Sequence, residues 1–169
     1  DRKRVSGPHR GIAYWEGEGS NTSGAREARI VFGTTDGRLV ALDARTGRPI
    51  PTFGDGGVVN LRAGMTDVAG SYTMTSPPAI WRDLVITGAL VPETASRGPS
   101  GDIRAFDVRT GALVWRFHTV PHEGEAGNDT WEPGSWRDRT GANVWSIMSV
   151  DVERGLVFLP LGSASSDFY

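Results

Sequence analysis

Short runs of alternating apolar and polar residues recur along the chain, and two of them end in the same phrase. Arg38-Leu39-Val40-Ala41-Leu42 leads into Asp43-Ala44-Arg45-Thr46-Gly47, and Asp102-Ile103-Arg104-Ala105-Phe106 leads into Asp107-Val108-Arg109-Thr110-Gly111. A period of two is that of a half-buried strand. In Asp-x-x-Thr-Gly the Asp or Thr side chain can bond turn backbone, and Gly accepts a positive φ without steric penalty. Each copy therefore predicts the end of one strand, a tight turn and the start of the next. Leu113-Val114-Trp115 extends the second copy. The offset between copies is constant from Gly37 and Gly101 through Gly47 and Gly111, which marks a repeat architecture.

The surrounding segments repeat as well. Residues 29–34 lead into the first hairpin, residues 78–88 lead into the second, and residues 149–159 open a third unit that does not reach its own hairpin. Residues 53–76 and 118–143 are long, irregular and rich in Gly, Pro, Asp and Trp. Loops of that length are usually functional or belong to a larger assembly. Repeated four-stranded blades arranged radially make a β-propeller, whose ring closure leaves few strand edges open. The expectation is an all-β fold, a partial β-propeller of about three blades, forming one domain over residues 1–169 that is truncated at least at its C-terminal end, at Ser166-Asp167-Phe168-Tyr169.

Composition agrees and narrows the function classes. Gly, at 23 of 169 residues, is roughly double the usual ~7%, and with ten Pro this suits many short strands and turns. A net charge of −2 provides no basic field for nucleic acid, so a small-molecule partner is expected. No apolar run approaches the ~20 residues of a bilayer span. The absence of Cys excludes disulfides and thiolate metal sites.

The fuller phrase Ala-x-Asp-x-x-Thr-Gly-x-x-x-Trp is complete from Ala105 to Trp115, and the first copy has Pro51 in place of Trp. It resembles the tryptophan-docking motif of the eight-bladed quinoprotein dehydrogenases, which oxidise alcohols or sugars with pyrroloquinoline quinone (PQQ) and Ca²⁺. Non-catalytic scaffold propellers of outer-membrane assembly use a similar blade and form the alternative reading. Other segments favour the enzymes, and the resemblance runs from Pro8 to the last residue.

Arg10-Gly11-Ile12-Ala13-Tyr14-Trp15 looks like the family segment whose Arg faces the quinone's carboxylates, a task suited to a guanidinium fork. Thr75-Ser76-Pro77-Pro78 followed by Glu93-Thr94-Ala95-Ser96-Arg97-Gly98 is similar to the second binding segment. There the resemblance gives the Thr75 hydroxyl a quinone contact and makes Glu93 a Ca²⁺ ligand, a carboxylate for a hard cation. Asn143-Val144-Trp145 occupies the cofactor-binding segment whose Trp forms the floor under the quinone, an indole face stacking on a planar ring. His9, beside Arg10, is a candidate to cover the quinone's open face.

The chain also departs from the family. Without Cys it cannot form the vicinal disulfide of the alcohol-oxidising members, and residues 118–131 look more like the sugar-oxidising ones. The family's Asn metal ligand after the Leu-Gly turn is replaced by Ser163 or Ser165. His118 and His122 have a metal-binding i,i+4 spacing only on a helix, which Pro121 argues against, so they read as structural. The general-base Asp belongs to a His-Asp-x-Trp-Asp segment expected downstream, so no catalytic residue is assigned here. The resemblance implies a bacterial periplasmic dehydrogenase with an alcohol or sugar substrate and a quinone or cytochrome electron acceptor. A calcium-binding structural propeller would need Asp-rich loops, and Asp55-Gly56-Gly57 is too little.

Overall fold

The computed structural model describes residues 9–18, 26–65, 70–94 and 97–165, so Pro8, Ala95, Ser96 and residues 166–169 lie outside the described residues. Strands β1 (Ala13–Gly17), β2 (Glu27–Gly33), β3 (Arg38–Asp43) and β4 (Val58–Asn60) form one antiparallel sheet in chain order. Strands β5 (Ala79–Trp81), β6 (Leu84–Thr87), β7 (Ile103–Asp107) and β8 (Leu113–Phe117) repeat that arrangement. A third, two-stranded sheet pairs β9 (Ser149–Asp151) with β10 (Leu156–Phe158). The first strands pack in series, β1 on β5 and β5 on β9, as in successive blades of a propeller. The helical content of the described residues is two short 3₁₀ turns, Asn128–Thr130 and Ser135–Arg137. None of these helices is long and apolar enough to cross a membrane.

The repeated phrase makes the same turn twice. Asp43 Oδ1 accepts hydrogen bonds from the Arg45 amide (3.1 Å), the Thr46 amide (2.7 Å) and the Thr46 hydroxyl (2.8 Å). Asp107 Oδ1 accepts from the Arg109 amide (3.0 Å), the Thr110 amide (2.7 Å) and the Thr110 hydroxyl (2.8 Å). Gly47 and Gly111 close the turns at φ 69° and 72°. Burial works to raise the Asp107 carboxyl, but the Thr110 hydroxyl and the Thr110 and Arg109 amides outweigh it and hold it below the ordinary value. A carboxyl depressed in the folded state contributes stability above its unfolded value and loses it as pH falls through the folded one. Asp107→Ala is therefore expected to cost about 1–2 kcal/mol at neutral pH. The gap from wild type should narrow below pH ~4, as read by denaturant titrations at pH 7 and pH 3; an equal gap at both would contradict the turn's role.

Two features differ from the periodicity reading. After the first turn the chain makes only an isolated bridge, Leu42 to Pro49, and the paired strand comes later, as β4. Pro49 and Pro51 lack the N–H that a continuing ladder requires. The second difference is β7, whose alternation suggests one wet face, yet Ile103, Arg104, Ala105 and Phe106 are all buried. Arg104 is accommodated because Leu61 and Tyr72 accept its hydrogen bonds: Nη1 donates to the Leu61 carbonyl at 2.8 Å and Nη2 donates to the Tyr72 hydroxyl. That burial also raises the Tyr72 phenol above its ordinary range.

Apolar layers between the sheets hold the blades together. Trp15, Val31, Leu39, Phe53, Val85 and Phe106 belong to one cluster, and Ile86, Ile103, Val144 and Met148 form a second with Trp81, Trp115 and Val157 packed against it. Indoles on the first strands reach forward to the next sheet: Trp15 Nε1 donates to the Arg82 carbonyl at 3.0 Å, and Trp81 Nε1 donates to the Val152 carbonyl at 3.4 Å. Arg29, buried on β2, donates to the Val108 and Arg109 carbonyls at 3.0 and 2.9 Å and clamps the second repeat's turn to the first sheet.

Candidate functional site

Three segments distant in sequence meet, each lying just before the first strand of a sheet, β1, β5 or β9. Arg10 precedes β1, and its amide donates to the Thr75 carbonyl at 2.8 Å while Nη1 donates to Thr75 Oγ1, also at 2.8 Å. The guanidinium lies over the Trp145 ring, 5.4 Å from its centroid. Ser76, next to Thr75, donates its hydroxyl to the Trp145 carbonyl and fixes that backbone. Thr75 is buried, Arg10 is exposed and Trp145 is 41% exposed, so an indole surface remains open to a ligand. This combination presents a cation, a hydroxyl and an aromatic face to one neighbourhood.

A second group adjoins the first through the 143–145 segment. Asn143 is fully buried, and its Nδ2 donates to the Val91 carbonyl at 3.1 Å. Its Oδ1 and the Oε1 of Glu93 are both buried without a hydrogen-bond partner. They face the same spot, since a β-carbon built on Gly162 would stand 3.0 Å from Glu93 Oε1 and 3.4 Å from Asn143 Oδ1. Gly162 is held there by its amide, which donates to the Asn143 carbonyl at 2.9 Å. Two orphaned oxygens, one of them from a carboxylate, are a donor set that suits a hard cation such as Ca²⁺.

The remaining residues singled out from the sequence are dispersed around these groups. Ser163 is exposed and follows Gly162 directly. Ser165 is buried, its hydroxyl accepting from the Thr140 amide at 3.4 Å and its carbonyl from Arg139 Nη1 at 3.0 Å. His9 turns toward β2, where its Nε2–H donates to the Gly33 carbonyl at 2.9 Å and its ring meets Phe32 edge-on at 5.9 Å. Sequence reasoning placed Asn143 with the cofactor; its orphaned oxygen beside Glu93 has no signature in the local pattern.

The 118–143 stretch carries its own cluster. His118 and His122 stack in parallel, centroids 3.6 Å apart, and Trp136 stacks on His122 at 4.3 Å. Glu125 accepts from His118 Nδ1 at 2.8 Å and from the His122 amide at 2.7 Å. The His122 amide, then the His118 ring, hold the Glu125 carboxyl below its ordinary value. Ligand atoms of His118, His122 and Glu125 lie within 4.8 Å of one another. Parallel rings direct their in-plane lone pairs side by side, however, so the two imidazoles do not converge on one ion.

Comparison with known proteins shows the family and the fold. The family described as glucose/ethanol/alcohol dehydrogenase, β-propeller domain (PQQ), matches residues 2–169. The glycerol dehydrogenase large subunit of Gluconobacter thailandicus is 37% identical over 83% of this chain and 19% of its own length. The quinoprotein glucose dehydrogenase of Escherichia coli is 34% identical over 95% of this chain and 20% of its own length. The chain thus spans about a fifth of the length of these relatives. Among solved structures, the quinohemoprotein alcohol dehydrogenase of Comamonas testosteroni superposes with a TM-score of 0.64 and 30% identity, over 81% of this chain and 20% of that one. A europium-containing methanol dehydrogenase shares the fold at a TM-score of 0.63 and 24% identity, over 89% of this chain and 25% of that one. The chain belongs to the β-propeller domain family of the PQQ-dependent glucose, ethanol and alcohol dehydrogenases.

Proposed function

We propose that this chain is the part of a larger periplasmic PQQ- and Ca²⁺-dependent dehydrogenase that holds one side of the cofactor, and that the whole protein oxidises an alcohol or sugar hydroxyl. The observation that carries the reading is the meeting of Arg10, Thr75 and the open face of Trp145 from three separate segments. PQQ is a planar tri-acid; when bound with Ca²⁺ it supplies the two-electron oxidant, and the metal supplies Lewis-acid polarisation of its carbonyl. The residues of this chain bind and orient. Arg10 offers its guanidinium fork to a carboxylate, Thr75 contributes a hydroxyl already aligned by Arg10, and Trp145 supplies a stacking floor that its backbone bond to Ser76 keeps in place. Glu93 is the proposed anionic metal ligand, and Ser163, which follows Gly162 directly, is exposed. The Ser165 hydroxyl is already engaged with Thr140. His9 borders this region, with its ring anchored on β2. The proton acceptor is assigned to a segment outside this chain, and the electrons pass on to a quinone or cytochrome.

Reconstituting the full-length protein with PQQ and Ca²⁺ and following dye reduction over a panel of alcohols and sugars tests the proposal. Turnover that requires both additions is expected. No reduction with any member of the panel would favour a non-catalytic propeller and overturn it.

A further inference from the structure

Among the buried side-chain atoms without a hydrogen-bond partner, Glu93 Oε1 and Asn143 Oδ1 stand out because both are oxygens that face one spot. Leaving such atoms without a partner is costly, more so for a charged group. Among the described residues no Lys, Arg or His pairs with Glu93. Arg97, four positions along the same loop, is committed instead to Asp138 at 3.0 Å. The orientation of the Asn143 amide follows from its surroundings. With the amide reversed, its oxygen would oppose the Val91 carbonyl, whereas Nδ2 donates there at 3.1 Å. Oδ1 must therefore point to the other side, toward the spot that Glu93 Oε1 also faces. That spot is left open because residue 162 has no side chain: a β-carbon there would meet both oxygens at 3.0 and 3.4 Å. The backbone at Gly162 does not require glycine, since it is absent from the positive-φ positions.

We infer that Asn143 is a direct ligand of the divalent cation, its amide oxygen pairing with the Glu93 carboxylate across the gap left by Gly162. The inference rests on the reading of Glu93 as a metal ligand, and it assigns the neutral oxygen to Asn143 in place of Ser163 or Ser165. A carboxylate and an amide oxygen are the donor types a hard cation takes, and the Val91 bond presets the amide so that little side-chain freedom is lost on binding.

The test is metal binding by the full-length, metal-free protein, read by Tb³⁺ luminescence and by calorimetric Ca²⁺ titration without PQQ. Asn143→Ala and Gly162→Ala are each expected to weaken binding by roughly 10- to 100-fold. Ser163→Ala should leave it within about twofold, because its hydroxyl is outside the pair of orphaned oxygens. Gly162→Ala keeps both oxygens and fills the space between them, so it decides the matter should Asn143→Ala fail to fold. Wild-type affinity in Gly162→Ala and in a folded Asn143→Ala, alongside a loss in Glu93→Gln, would overturn the Asn143 assignment and leave Glu93 in place. Loss in Ser163→Ala with none in Gly162→Ala would move the ligand to Ser163. Wild-type affinity in Glu93→Gln, or no binding by the wild type, would overturn the underlying reading as well.

Discussion

Replacing Arg10 with alanine is expected to weaken PQQ binding by about 2–5 kcal/mol, roughly thirtyfold or more. On the proposed binding mode the guanidinium meets a carboxylate with paired, charge-assisted hydrogen bonds in a site that the bound ring shields from water. Truncation removes that fork, and it also removes the 2.8 Å bond that orients the Thr75 hydroxyl. The fold should survive, because Arg10 is exposed and the bond from its amide to the Thr75 carbonyl does not depend on the side chain. An unchanged thermal midpoint for the metal- and cofactor-free protein is therefore part of the expected result. Arg10→Lys should recover only part of the affinity, since an ammonium keeps the charge and loses the planar fork. Wild-type affinity in Arg10→Ala would remove Arg10 from the site.

Trp145→Leu is expected to weaken PQQ binding by about 1–3 kcal/mol, the scale of one buried aromatic contact. It should also abolish the part of the tryptophan emission that PQQ quenches in the wild type. The indole is 41% exposed, so a smaller apolar residue opens no cavity in either core cluster. The backbone stays anchored by the Ser76 hydroxyl on the Trp145 carbonyl. Titration of the metal-loaded protein with PQQ, followed by emission, gives both quantities. If the variant binds PQQ like the wild type and is quenched to the same extent, Trp145 is a surface residue without a stacking role.

What the sequence made legible was local in origin. The Asp-x-x-Thr-Gly turns are built from contacts two and three residues apart, so composition and spacing alone predicted both of them and their glycines. The strands beside them followed from alternation. Legibility failed where a distant segment decided the outcome. Arg104 reads as a solvent-facing residue until Leu61 and Tyr72, 43 and 32 positions away, cover it and accept its hydrogen bonds. The late arrival of β4 depends on two prolines interrupting a ladder that the repeat would otherwise continue.

The candidate site divides in the same way. Arg10, Thr75, Glu93 and Trp145 stand in short segments whose residue types suggest their chemistry, yet the contact between Arg10 and Thr75 spans 65 positions and only the packed sheets bring it about. The direction of the Asn143 amide is set by the Val91 carbonyl, 52 positions away, and no local pattern encodes it. His118 and His122 were legible as non-helical because of Pro121, but their stacking on each other and on Trp136 depends on how the long 118–143 stretch folds back.

The central claim, that this chain holds one side of a PQQ site, is tested most directly by a crystal structure of the full-length protein grown with PQQ and Ca²⁺. The quinone is expected to stack on the open face of Trp145, with a carboxylate on the Arg10 guanidinium and the cation between Glu93 and Asn143. A quinone bound elsewhere, with the Trp145 face covered by other parts of the protein, would contradict it.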